Sequence, residues 1–542
     1  MQDHPLAALA SFPPANISSL SDKEVESAIQ AYTTWLQGQG SVLKKTVLKQ
    51  PEQALQVAIN TQHQPPPFLG GLWQRISLLT KASQLLDPST NSIGYLAVLD
   101  ILSNANTVDY SSSSPTSAAS QVRNAIVSFL LKFDPRQVRY VGSTLLKLLE
   151  LVGSGKLFSV CKHQGRRNRE DDVLTPTQPT VTIELLAGTI LRIDPTGSMY
   201  TSTHLLLAKL AYESACTEPA LRVIDRDILY YPGIPNTRAA GPLFDATLPP
   251  TAYISTETGL TRDVTSTSVL EYNLVSGLIY MSRRNWPKAR KALERAVTHP
   301  AKYKGVSKIM VEAYKKWLLV GLLENGQEPT LPHYTAHSAK ATYANLAGSY
   351  ANIASLFSSE EAASLLAETQ SNTAVWTEDG NGALVSEVLA VYQRWKMINL
   401  RRVYSKIPVS QVQASTSSAE TGQRLNSEEE VTALIRAMIA DNMLRGELHM
   451  GEDGVQYLAF HSDQTLSTEQ DFAQEIAQAQ RTMSSLTRDY KLANNRLSGN
   501  KEYIKHVARE QKRLDKESEH PSGNFEMQIE DEDLMTGIIA NG

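Results

Sequence analysis

His333 and His337 stand four residues apart, the spacing that puts two imidazoles on one helical face as zinc ligands. A zinc protease helix also needs a glutamate directly after the first histidine as general base. Here that position is Tyr334, and Pro332 marks a helix start or a loop, so the pair reads as surface histidines. Gly153-Ser154-Gly155-Lys156 has the lysine of a phosphate-binding loop. That loop requires a glycine five residues before Gly155 and a Ser or Thr after the lysine, but the chain has Glu150 and Leu157. No Gly-x-Ser-x-Gly elbow is present, and neither Cys161 nor Cys216 sits in a nucleophile motif. With no convergent set of catalytic groups, the expectation is a protein that is not an enzyme and needs no metal or cofactor.

The charged clusters are equally plain. Lys162, Arg166, Arg167 and Arg169 lie in a polar stretch and read as a solvated loop; binding an acidic partner or nuclear import are the functional alternatives. Arg283, Arg284, Lys288, Arg290 and Lys291 read as an exposed helix face. A net charge of −4 and a pI near 6.3 give no global attraction to nucleic acid or to an anionic membrane. Two cysteines cannot build a disulfide framework, which fits a reducing compartment. The start of the chain lacks the basic flank and apolar run of a signal peptide, and the longest apolar run, 317–323, is too short to span a bilayer. The expectation is a soluble intracellular protein of two to four domains.

The elements that would position these residues are mostly helices. Residues 18–37 carry Val25, Ile29, Tyr32 and Leu36 on one face, with Ser21 and Asp22 at the start. Helical stretches follow at 53–61, 72–86, 92–102, 118–131 and 135–151. Polar breaks at 109–120 and 166–180 read as surface loops, and the proline-rich 231–259 as an insertion between helical pairs. In 269–300, Gly277 and Tyr280 fall on a first helix, Ala289, Leu293 and Ala296 on a second, and Pro300 ends it. Small and large residues in that order let two antiparallel helices pack closely, as in a tetratricopeptide repeat. A weaker relative spans 203–227, and helical stretches continue through 307–325, 339–357, 362–369 and 382–404.

From Ser427 the pattern changes. Ser427 and Glu428 to Glu430 form an acidic helix start, and Val431, Leu434, Ile435, Met438 and Ile439 make one apolar face. Leu448 and Met450 then alternate with polar residues, Glu452-Asp453-Gly454 turns, and Val455, Tyr457 and Ala459 continue the alternation. Helix, strand, tight turn, strand is the second half of a winged helix, with 411–425 as a loop between its second and third helices. Its third helix carries Glu428, Glu429, Glu430 and Asp441 against Arg436, so a phosphate backbone would repel it. Beyond it, Phe472, Ile476, Ala479, Met483, Leu486, Tyr490, Ala493 and Leu497 recur at spacings of four and three, a coiled-coil seam that calls for partner helices. The frame continues through Ile504, Val507 and Leu514, and Glu530-Asp531-Glu532-Asp533 reads as part of a disordered acidic tail.

Helical repeats, a winged helix with an acidic third helix and a bundling helix together resemble the PCI-domain subunits. These build the proteasome lid, the COP9 signalosome and a translation initiation complex. Leu400, Tyr404, Ile407, Val412, Glu430, Met438, Ile439, Asp441, Asp453, Gly454 and Val455 stand where that family has similar residues. Tyr272, Gly277, Tyr280, 289–300, Glu312-Ala313-Tyr314-Lys315-Lys316, 318–323 with Gly326, and Leu331-Pro332-His333-Tyr334-Thr335 are similar to the signalosome subunit 3 branch. Similarity is strongest over 265–461. The resemblance implies a mainly α fold divided into N-terminal helical repeats (1–198), TPR-like repeats (199–385), a winged helix (386–465), a bundle helix (466–517) and an acidic tail (518–542).

It also implies scaffold work. Leu448, Met450, Val455 and Tyr457 would set a winged-helix edge pairing with other PCI subunits. Phe472, Ile476, Met483, Leu486, Tyr490 and Leu497 would join a helical bundle. Through those subunits the chain would reach a zinc isopeptidase that removes Nedd8 from cullin-RING ligases, in cytoplasm and nucleus, without contacting nucleic acid or membrane. The alternatives are a lid or initiation-complex subunit, or a nucleic-acid adaptor, which would need a basic third helix or wing.

Overall fold

The computed structural model describes residues 9, 12–14, 17–49, 87–103, 118–154, 178–232, 242–300, 306–359, 361–451, 454–461, 469–498, 503–509 and 512. The helices expected at 53–61 and 72–86, the basic cluster at 162–169, Glu452-Asp453, Leu514 and the tail at 518–542 lie outside the described residues. Residues 1–460 form one compact unit and 461–542 a second.

α1 (Asp22–Lys49) starts where the Ser21 amide and hydroxyl donate to Glu24 Oε2 at 2.8 and 2.7 Å. It buries Val25, Ile29 and Tyr32 and outruns the expected end at 37. Gly38 and Gly40 each weaken a helix by about 1 kcal/mol, but burial of Leu43 beyond them offsets the cost. α2 (Ser92–Ser103), α3 (Ala118–Lys132), α4 (Pro135–Val138) and α5 (Gly142–Gly153) follow. The single helix expected over 135–151 is thus broken at 139–141, and the helix start at Ala118 shortens the expected polar loop. The cause of the break is distant in sequence. Arg139 turns inward, donates to the carbonyls of Leu243 and Asp245 at 2.6 and 2.8 Å, and stacks 3.7 Å from the Tyr253 ring centroid. A Cβ on Gly142 would sit 2.4 Å from the Thr258 carbonyl oxygen.

α6 (Gln178–Ile193), which begins inside the loop expected to reach 180, leads to α7 (Ser202–Glu213), α8 (Leu221–Ile224) and α9 (Pro250–Tyr253). The hairpin read from the sequence is α10 (Ser266–Ser282) and α11 (Trp286–Val297). Thr265 caps the first helix and Asn285 the second, and Ala289, Leu293 and Ala296 are fully buried between neighbours. Gly277 admits the Leu293 side chain, which would lie 2.7 Å from any Cβ there. α12 (Lys308–Asn325) is capped by Ser307 and closed by Gly326 at φ +64°.

α13 (His337–Leu346), α14 (Gly348–Ser358), α15 (Ala362–Ser371), α16 (Thr373–Glu378) and α17 (Gly382–Leu400) complete the stack. The one stretch expected over 339–357 is two helices that meet at Ala347. A single apolar core runs from Leu9 through these helices to Tyr392 and takes in Ala419 beyond them, as stacking repeats require.

A second, smaller core forms the winged helix: Met397, Ile407, Val412, Val431, Ile435, Met438 and Leu458. Its elements are β1 (Lys406–Pro408), α18 (Val409–Ser415), α19 (Glu428–Ala440), β2 (Gly446–Met450) and β3 (Gln456–Phe460). The sheet order is β1-β3-β2, antiparallel throughout. α18 runs to Ser415, so the expected loop begins only at Thr416. α20 (Glu469–Ser498) is the long helix of the second unit. Among the described residues no helix is long and apolar enough to cross a membrane.

Candidate assembly surfaces

His333 and His337 are not brought onto one helical face. His333 precedes α13, its ring 5.6 Å from that of Tyr334, and His337 is the first residue of α13. Among the described residues no group of His, Cys, Asp and Glu could hold a metal ion.

The cationic run in and just before α11 is no free patch. Arg283 pairs with Glu218, Arg284 Nε with Glu387 at 2.9 Å and Arg290 with Glu324. Lys288 lies 3.0 Å from Asp225, and Lys291 and Arg295 share Asp227 at 3.4 and 2.5 Å. The run therefore ties this hairpin to the helices before and after it. Sequence reading found the charges but not their partners, which lie tens of residues away.

The Lys315-Lys316 motif has a similar, more buried role. Lys315 Nζ donates to both Asp379 oxygens at 2.7 Å, and the Tyr350 hydroxyl donates to Asp379 Oδ2 at 2.7 Å. Asn381 Nδ2 donates to the Tyr350 hydroxyl at 2.8 Å and Asn381 Oδ1 accepts from Lys316 Nζ at 2.8 Å, while Lys316 also pairs with Glu312. Burial works against the Asp379 carboxylate. Hydrogen bonds from Lys315 and Tyr350 and the two ammonium charges outweigh it, and the group stays below the usual carboxylate range. This network clamps α12 to the turn that launches α17, the helix leading into the winged helix.

On the winged helix, Ser427 Oγ accepts from the Glu430 amide at 3.2 Å and the Glu430 carboxylate accepts from the Asn426 amide at 3.2 Å. Val431, Ile435 and Met438 are buried while Glu428, Glu429, Glu430, Arg436 and Asp441 are exposed. The outward face of α19 is thus acidic. β3 lies between the other two strands: Tyr457 opposes Pro408 on one side and His449 on the other. Tyr457 therefore belongs to the central strand, and Val455 sits at the hairpin tip just before it. Among the described residues β2 pairs with β3 alone, and along it Leu448 is half-buried against the winged-helix core and Met450 is exposed. β1 escaped sequence reading because three residues with a proline carry no alternation. Its one findable signal was Ile407, an apolar residue just ahead of α18.

The seam residues of α20 all stand in solvent. Phe472, Ile476, Met483, Leu486, Tyr490 and Leu497 are between 40% and 71% exposed, and Ile504 and Val507 beyond them are exposed as well. Thirty residues of helix at about 1.5 Å rise each would span about 45 Å. These side chains form an exposed apolar stripe at heptad spacing, the pattern of a coiled-coil seam.

A stack of helical hairpins running into a winged helix, with a long helix following, defines a helical-repeat protein of PCI type. Residues 68–339 match the family described as COP9 signalosome complex subunit 3, N-terminal helical repeats. The chain is 36% identical over 474 residues to the COP9 signalosome complex subunit 3 of Neurospora crassa, covering 84% of this chain and 89% of that protein. It is 29% identical over 313 residues to the Emericella nidulans protein of the same name, covering 58% and 59% respectively. The chain belongs to the COP9 signalosome subunit 3 family.

Proposed function

We propose that this chain is a non-catalytic scaffold subunit of the COP9 signalosome. The observation that carries the reading is the heptad stripe of α20, exposed along its length in a chain whose family is a signalosome subunit. In this reading α20 enters a bundle with the corresponding helices of companion subunits. The β2 edge offers backbone groups for strand addition by a neighbouring winged helix, with Leu448 and Met450 setting the register. Zinc isopeptidase chemistry, release of Nedd8 from cullins, resides in another subunit, and this chain holds the assembly in shape. The complex works in cytoplasm and nucleus. The acidic outer face of α19 disfavours a nucleic-acid adaptor, since binding would place carboxylates against phosphates.

Purifying the tagged protein from its native cells tests this. Companion PCI subunits and a zinc isopeptidase subunit should appear in stoichiometric amounts, and the eluate should strip Nedd8 from cullins. Proteasome or ribosomal partners would assign the chain to another complex, and a lone monomer would contradict the scaffold role.

A further inference from the structure

The ion pairs of α11 border a groove that they do not fill. A cavity of about 260 Å³ opens between the end of α8, α10 and α11. One wall carries Lys288, Lys291 and Arg295 at spacings of three and four, so all three point the same way. The carboxylates facing them are Asp225 and Asp227: three cations against two anions leave one positive charge uncompensated. Asp225 is further occupied by the Tyr280 hydroxyl, which donates to it at 2.8 Å. The α10 side is polar as well, with Tyr272, Asn273 and Ser276, each at least 94% buried. Tyr272 leans toward Ser276, yet Ser276 Oγ closes no hydrogen bond of normal geometry. With Tyr272 as its neighbour, Ser276 keeps a hydroxyl proton to give to a group that enters the groove.

The size of the groove narrows the visitor. It is smaller than the roughly 300–1,000 Å³ of pockets that enclose whole drug-sized ligands, so it suits a side-chain head group whose remainder lies outside. Donors prevail: two ammonium groups, a guanidinium, an amide and hydroxyls. We propose that this groove receives one oxyanion, a carboxylate or phosphoryl group, presented by an extended acidic segment of another protein chain. The oxyanion accepts from Lys288 and Lys291 at the rim and from Ser276 and Asn273 at the floor, and it neutralises the surplus charge. Asp225 and Asp227 continue to hold α8 to α11 and set the rim cations in place.

The test uses the full-length protein and fluorescence anisotropy with three labelled heptapeptides. One has three central carboxylate residues, the second a phosphoserine among them, and the third the corresponding amides. At least one acidic peptide should bind and the amide peptide should not. Binding of the carboxylate peptide shows that carboxylate suffices; binding of the phosphopeptide alone assigns the phosphoryl group. Affinity should fall at least tenfold in Lys288→Gln/Lys291→Gln, where both side chains are about half exposed or more and their loss spares the core. It should fall comparably in Ser276→Val, which blocks the floor without changing charge. Failure of both acidic peptides to bind would overturn the proposal. So would equal affinity across the three proteins, or loss in the lysine variant alone, which would reduce the effect to surface charge.

Discussion

At the scale of single residues, burial separates the polar groups that matter from those that do not. Asp379 and Lys315 are each 16% exposed, whereas Arg262 and Glu150, a bidentate pair at 2.8 Å, are 59% and 42% exposed. Removing one partner of a buried pair strands the other, while an exposed pair loses little because water replaces it. Asp379→Ala should therefore cost about 3 kcal/mol and Glu150→Ala under about 1 kcal/mol, read from urea unfolding midpoints. Equal shifts would disprove the clamp between α12 and α17.

His204 makes a second residue-scale prediction. Its Nδ1 accepts from the Thr201 amide at 3.1 Å, so the neutral ring carries its proton on Nε2, which is buried without a partner among Tyr200, Tyr272 and the more distant Asp194. Burial lowers its pKa from 6.5 to about 4, with the Asp194 charge only partly opposing this. A base with a depressed folded pKa leaves the unfolded chain holding more protons. Its contribution is intact above pH 6.5 and is lost as pH falls toward 4. Between pH 7 and 5 the loss is about 2 kcal/mol. His204→Gln should flatten that part of the stability profile relative to the parent; an unchanged slope would show that His204 does not titrate in this way.

At the scale of elements, helices with a buried face were legible because the period of the apolar residues is local. Val25, Ile29 and Tyr32, or Ala289, Leu293 and Ala296, announce their helices and are buried as expected. What could not be read were interruptions made by distant segments. Nothing near Gly142 predicts that the Thr258 carbonyl will press against it, or that Arg139 will serve as an anchor for the proline-rich segment. Nor does the sequence show the partners of the α11 cations. The two proposed assembly surfaces were unequally legible: the heptad spacing of α20 was plain in the sequence, but strand order was not, so Tyr457 was expected at an edge and lies in the middle.

Gly142 supplies the element-scale prediction. The group it would strike is backbone, and Gly259 at φ +75° presses equally closely on Ser143 from the other side, so neither chain can yield cheaply. Gly142→Ala should cost about 2 kcal/mol or more. It should also raise protease sensitivity in the proline-rich segment. A neutral substitution would show that the contact is loose.

At the scale of the whole molecule, the chain divides its labour. Residues 1–460 hold a continuous core and a small second core of their own, while α20 presents apolar side chains to solvent. The first buries its apolar side chains within itself, and on the proposed function the second is covered by partners. The central claim is that the cover is a bundle of helices from companion subunits. Its most direct test is quantitative mass spectrometry of partners recovered with the tagged chain in which Ile476, Met483 and Leu486 are each replaced by Asp. Charges buried in a seam cannot be accommodated, so recovery of signalosome subunits should fall at least tenfold while the purified variant unfolds at the same temperature as the parent. Undiminished recovery of those subunits would contradict the account.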